Sequence, residues 1–139
     1  MIVLDTNVIS EVLRPTPDTH VMAWLENRSN SQFFTTTISE AEIRYGVARL
    51  EDGRRRQALL QTIDGIFAED FAGRILIFDR AAAADYAGIV TGRECMGRPI
   101  SQFDAQVAAI AKAHGASIAT RNGKDFEGLG LDIINPWNG

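Results

Sequence analysis

The strongest constraint on this chain is an alternation of short apolar runs with helix-length stretches. Ile2-Val3-Leu4, Phe33-Phe34-Thr35-Thr36, Arg74-Ile75-Leu76-Ile77-Phe78, Ser117-Ile118-Ala119-Thr120 and residues 131–134 read as strands, being short, apolar and mostly β-branched or aromatic. Between them the signals are helical. One helix is expected over residues 7–13, stopping before Pro15, and a second from Pro17 to about residue 27 with Thr16 as its N-cap. Thr37 is placed to cap a third helix reaching about residue 51, with Glu40 completing a capping-box pattern. Gly53 precedes a helix over residues 54–71; Asp79 caps an alanine-rich helix ending near Gly97; Ser101 caps one over residues 102–114, which Gly115 terminates. Strands separated by helices of this length pair in parallel and need cover on both faces. The expected class is therefore α/β: a single domain over residues 1–139, with a central, mostly parallel sheet flanked by helices.

Composition narrows the function. The apolar stretches are too short and interrupted to cross a bilayer, and Met1-Ile2-Val3-Leu4 runs into Asp5 without the basic start of a secretory signal. The single Cys95 forms no internal disulfide, so a reducing cytoplasm is the simplest expected location. No Cys/His spacing fits a zinc site. The net charge of −4 argues against a tight nucleic-acid binder, whose affinity comes largely from neutralised phosphates. An enzyme that recruits a cation is less affected. The local basic groups, Arg54-Arg55-Arg56 and Arg93 with Arg98, read as solvated helix ends.

Four acids stand where structure alone does not demand them. Asp5 follows the first strand at its carboxyl end, the edge where parallel sheets bind ligands, although a helix N-cap would also explain it. Glu42 shares a helix face with Ile38, Tyr45 and Gly46, and that glycine is read as permitting close backbone approach. Asp104 interrupts a helix that is apolar almost all round; its place in the first turn, behind Ser101, also suits the helix dipole. Asp125 lies in the loop after the strand at Ser117. Asp79 is set aside as a cap.

A parallel topology would gather these acids along one sheet edge. Two like charges about 4 Å apart repel by about 4 kcal/mol at an effective dielectric of 20. A cluster of three or four then calls for protons or a hard divalent cation, and Mg²⁺ and Mn²⁺ take oxygen ligands while keeping several waters. That is the equipment of phosphodiester hydrolysis. Rival phosphotransfer patterns are absent: Asp5 is followed by Thr6 and Asn7 rather than completing an Asp-x-Asp.

With these residues in place, Leu4-Asp5-Thr6-Asn7-Val8-Ile9-Ser10, Ala41-Glu42-Ile43-Arg44-Tyr45-Gly46 and Asp104-Ala105-Gln106-Val107-Ala108-Ala109-Ile110-Ala111 resemble the acidic motifs of PIN-domain proteins. Thr120-Arg121-Asn122-Gly123-Lys124-Asp125-Phe126 and Asn135-Pro136-Trp137 resemble the toxin branch called VapC, in particular its FitB-like members. The resemblance covers essentially the whole chain and implies a ribonuclease toxin of a type II toxin–antitoxin pair. It implies Asp5, Glu42 and Asp104 as holders of Mg²⁺ or Mn²⁺, and Thr6 as the hydroxyl beside the first acid. For the fourth position it leaves two candidates, Asp125 and Asn122. It further implies an RNA substrate, transfer RNA among the candidates, a homodimer, and a DNA-binding antitoxin of the VapB or FitA kind. The alternative is a PIN-like module with little or no catalysis that acts only through that antitoxin.

Overall fold

The computed structural model describes residues 1–138. Five short strands, β1 (Ile2–Leu4), β2 (Phe33–Thr36), β3 (Ile75–Leu76), β4 (Ser117–Ala119) and β5 (Ile133–Ile134), form one sheet in the order β3-β2-β1-β4-β5. Every pairing is parallel, with Val3 opposite Phe34 on one side and Ile118 on the other. The sheet is thus wholly rather than mostly parallel. Among the described residues six α-helices cover it: α1 (Thr6–Val12), α2 (Thr19–Glu26), α3 (Thr37–Ala48), α4 (Arg54–Gly65), α5 (Arg80–Cys95) and α6 (Gln102–Ala113). Among the described residues no helix is long and apolar enough to cross a membrane.

The strand period of two divides the core. Ile2 and Leu4 pack with Val8, Trp24, Phe33, Ile43 and Phe67 on one face. Val3 and Ile118 point the other way, into Ala82, Ile89, Val107, Ala108, Ile110 and Phe126. A central strand buried on both faces is why Ile2-Val3-Leu4 is apolar without alternation.

Local chemistry sets the element ends. The Ser101 hydroxyl accepts from the Asp104 amide at 3.1 Å, and Gly115, at φ +63°, supplies the left-handed turn that ends α6. Asp79 accepts from the Ala82 amide at 3.0 Å, as expected of a cap. Two caps differ from expectation. The third helix is capped by Thr36, whose hydroxyl accepts from the Ser39 amide at 3.0 Å; Glu40 turns instead to Arg44 at 2.8 Å. The second helix starts after Asp18, whose carboxylate takes the His20 and Val21 amides, so Pro17 lies before the helix. Asp18 wins because its carboxylate serves two orphan amides. The expected helix over residues 54–71 is α-helical only to Gly65 and finishes in a π turn at Ile66–Asp70. β3 and β5 keep only two residues each of their longer expected runs, because each lies at a sheet edge with a partner on one side.

Candidate active site

The strand order reverses at β1, which lies between β2 and β4, while the next strands in sequence continue outward on both sides. Such a switch point opens a crevice beyond the carboxyl ends of the strands. Asp5 leaves β1 into that crevice. Its amide donates to the Ala119 carbonyl at 2.9 Å, continuing the ladder for one more residue. Its Oδ1 then caps α1 by accepting from the Thr6 amide at 2.8 Å. Oδ2 accepts from the Thr120 hydroxyl at 2.9 Å and from Asn7 Nδ2 at 3.3 Å. The capping role and a site role therefore coexist in one carboxylate.

Thr120, immediately after β4, is fully buried. While its hydroxyl donates to Asp5, the same oxygen accepts from Asn7 Nδ2 and from the Asn122 amide, both at 3.1 Å. Asn7 in turn accepts the Arg121 amide through Oδ1 at 3.2 Å. These bonds lock the start of α1 to the loop after β4 and use up the donor and acceptor capacity of one hydroxyl. Thr120→Val is therefore expected to cost about 1–3 kcal/mol of stability at neutral pH. The loss, measured by urea denaturation, should shrink at pH 4, where Asp5 is protonated. Equal losses at both pH values would show that the hydroxyl does not serve the carboxylate.

Glu42 projects from α3 and is exposed. The Thr6 hydroxyl donates to its Oε2 at 2.7 Å, joining the second acid to the residue beside the first. The buried face of α3 is Ser39, Ile43 and Val47, and Tyr45 is 63% exposed. Glu42 thus does not sit on an apolar stripe. Gly46 also departs from expectation: a Cβ there would meet nothing within 4 Å, so the glycine leaves a groove open instead of admitting a close backbone.

Asp104 is half-buried on α6, whose Ala105 and Val107–Ala111 are buried as the apolar sequence implied. Asp125 stands in the 3₁₀ turn Gly123–Phe126, and its carboxylate accepts no bond from the described residues. Asp5, Thr6, Glu42, Asp104, Asn122 and Asp125 all line one cleft of about 470 Å³, so both candidates for the fourth position lie on it. Thr120 and Asn7, which organise Asp5, were not singled out by sequence reasoning. The signal was a hydroxyl at a strand end, but its meaning depends on β4 lying next to β1.

The charges behave as a cluster. Burial pushes the Asp5 carboxyl up to about 6; the bonds from Thr120 and Thr6 oppose this, and the charges of Asp104 and Glu42 add to it. Asp104 is also raised, first by burial, with Asp125 and Glu42 adding repulsion, while the Ser101 hydroxyl and Arg93 work the other way. These are hard oxygen donors whose negative charges interact unfavourably, the chemistry that a small divalent cation relieves. Among the described residues no three acidic, His or Cys side chains are arranged to enclose an ion. An open cleft still suits Mg²⁺, which binds through one or two carboxylates and retains water. Among the described residues the one other buried acid, Glu11, is tied to Arg14 and the Asp18 amide, away from the cleft.

Comparison with known proteins agrees with this geometry. The family model described as PIN domain matches residues 2–130. The chain is 42% identical to the "VapC ribonuclease Y4jK" of Sinorhizobium fredii, covering 99% of this chain and 98% of that one. It is 41% identical to "Toxin FitB" of Neisseria gonorrhoeae, over 99% of both. The crystal structure of FitAcB from Neisseria gonorrhoeae superposes with a TM-score of 0.94 at 40% identity, covering 100% of both chains. A structure of FitAB bound to a DNA fragment gives 0.93 at 41% identity, covering 99% of this chain and 96% of that one. The chain belongs to the PIN-domain family.

Proposed function

We propose that this protein is the toxin of a type II toxin–antitoxin pair and a metal-dependent endoribonuclease, with residues 1–139 acting as a single domain. The observation that carries the reading is the shared cleft of Asp5, Glu42, Asp104 and Asp125 at the switch point, with two of its carboxyls raised by burial and mutual repulsion. PIN-domain nucleases use divalent metal ions; here Asp5, Asp104 and Glu42 would hold Mg²⁺ or Mn²⁺. When bound, the ion supplies water activation and charge stabilisation at the phosphodiester.

The protein's own groups have distinct tasks in this proposal. Asn7 and Thr120 orient Asp5, and Thr6 holds Glu42. Glu42 is exposed and takes the Thr6 hydroxyl through Oε2, which orients its carboxylate toward the ion it would hold. Asp125 serves the fourth position and Asn122 is its rival. We expect Asp125→Ala to reduce the cleavage rate more than Asn122→Ala, because only Asp125 brings charge. The opposite order of single-turnover rates would transfer the role to Asn122.

RNA fits the surroundings of the cleft. A groove of about 810 Å³ shares Thr6, Ser10 and Glu42 with the cleft and carries Arg14, Arg49, Arg55 and the exposed Tyr45. Arg49 stacks over the Tyr45 ring at 5.5 Å. Cationic and aromatic side chains together suit a single-stranded RNA, so a net acidic protein can still offer a local basic track. The proposal includes a homodimer in the cytoplasm; it also includes a DNA-binding antitoxin, which is in keeping with the relatives' FitAB structure on a DNA fragment. An antitoxin arginine entering the acidic cleft would neutralise it.

The test is direct. Purified protein should cut RNA internally with Mg²⁺ or Mn²⁺ and stop when EDTA is added. Folded protein that leaves transfer RNA and messenger RNA intact under both metals would favour the non-catalytic module instead.

A further inference from the structure

Arg93 was expected to be a solvated helix end, yet it is only 4% exposed in the last turn of α5. Among the described residues it makes no ion pair. Its guanidinium is spent on backbone carbonyls: Nε donates to Arg98 at 2.7 Å, and one terminal nitrogen donates to Asp125 at 2.6 Å and to Glu127 at 3.4 Å. Burying a cation without an ion-pair partner is costly, even with Asp104 near enough to feel its charge, and is tolerated only where its donors are well used. Here they bind the two segments that frame one side of the cleft: the α5–α6 connection leading to Ser101, and the turn bearing Asp125. The same turn is pinned from below by Phe126, 1% exposed. Its outer side is held by Arg98, which reaches the Lys124 carbonyl and the Glu127 carboxylate. The carbonyl of Asp125 is therefore held while its carboxylate is left to the cleft.

We propose that Arg93 is a positioning residue: its buried guanidinium fixes the Asp125–Glu127 backbone so that the Asp125 carboxylate stands across the cleft from Asp104. The inference rests on the proposed nuclease reading for its rate measurement, but not for its binding measurement. No lysine can replace the fork, because a single ammonium lacks the planar set of donors that spans carbonyls of two segments.

Two readouts separate positioning from general structural support. In the first, Mn²⁺ binding is titrated by electron paramagnetic resonance on the parent, Arg93→Lys, Asp125→Ala and the double variant. Arg93→Lys should weaken Mn²⁺ binding about tenfold, a coupling of the size expected for residues in one network, and should add nothing in the Asp125→Ala background. In the second, single-turnover RNA cleavage should show the same lack of additivity, with the drop in rate and little change in RNA affinity. Multiplicative losses in the double variant, or an unchanged Mn²⁺ affinity in folded Arg93→Lys, would overturn the proposal. If Arg93→Lys does not fold, Arg93→Gln takes its place; it buries no charge and keeps an amide donor for the Asp125 carbonyl. If the parent binds Mn²⁺ but cuts no RNA, the nuclease reading fails while the binding cycle still decides the role of Arg93.

Discussion

Asp104→Asn is expected to lower metal-dependent RNA cleavage by at least about 100-fold, since even removing groups behind a metal ligand commonly costs 10–100-fold. The amide is nearly isosteric and keeps an oxygen but loses the charge. The fold should not suffer. Burial raises the Asp104 carboxyl first, and repulsion from Asp125 and Glu42 adds to it, so neutralising the side chain removes both penalties. The amide of residue 104 still donates to Ser101, so the helix cap survives. The expected pair of results is therefore loss of cleavage with a melting temperature equal to or above that of the parent in EDTA. A variant that cuts RNA at the parental rate with Mg²⁺ or Mn²⁺ supplied would remove Asp104 from the site. A variant that melts well below the parent would mark it as structural.

A divalent cation should stabilise the protein more at pH 7.5 than at pH 5. The Asp5 carboxyl rises from 3.8 to about 6 on folding, chiefly because it is buried. Below about pH 4 both folded and unfolded chains carry the proton, and the group is neutral to stability. As pH climbs from about 4 to about 6 the unfolded chain releases its proton first, so the metal-free fold loses stability across that window. The shift corresponds to about 3 kcal/mol at neutral pH. A cation binds the ionised cluster and must compete with this proton at pH 5. At 100 times its dissociation constant it would return about 2.7 kcal/mol. Thermal melts with MnCl₂ or EDTA at the two pH values check this. Equal cation-induced shifts at pH 5 and pH 7.5 would disconnect the acid cluster from metal binding, and Asp5→Asn should flatten the decline seen in EDTA.

What was legible in the sequence follows from the range of the interactions. Five strands, their helical separation and the caps at Asp79 and Ser101 depend on neighbours within a few positions, and those expectations match the structure. Thr36 displacing Thr37, and Asp18 displacing Thr16, are one- and two-residue errors among competing hydroxyls and carboxylates, settled by backbone direction. The acids were found because each breaks a local pattern, although Glu42 was noticed for a stripe it does not lie on. Thr120 and Arg93 were missed for a different reason. Each acts through partners that only the strand order supplies: Thr120 reaches Asp5 across 115 positions and Arg93 reaches Asp125 across 32. A buried arginine spaced four residues from Ile89 on α5 was the available hint, but it is the same pattern that a helix end shows.

The placement of β4 beside β1 has a consequence for synthesis. Asp5, Thr6 and Glu42 leave the ribosome early, whereas Thr120 and the turn carrying Asp125 leave late. Until then β1 has one unpaired parallel edge and Asp5 lacks its buried hydroxyl. Joining them is a long-range contact, the kind that forms slowly. In a nuclease made beside messenger and transfer RNA, this order acts as a delay: the growing chain holds half an acid cluster and gains the rest only when the late segment docks.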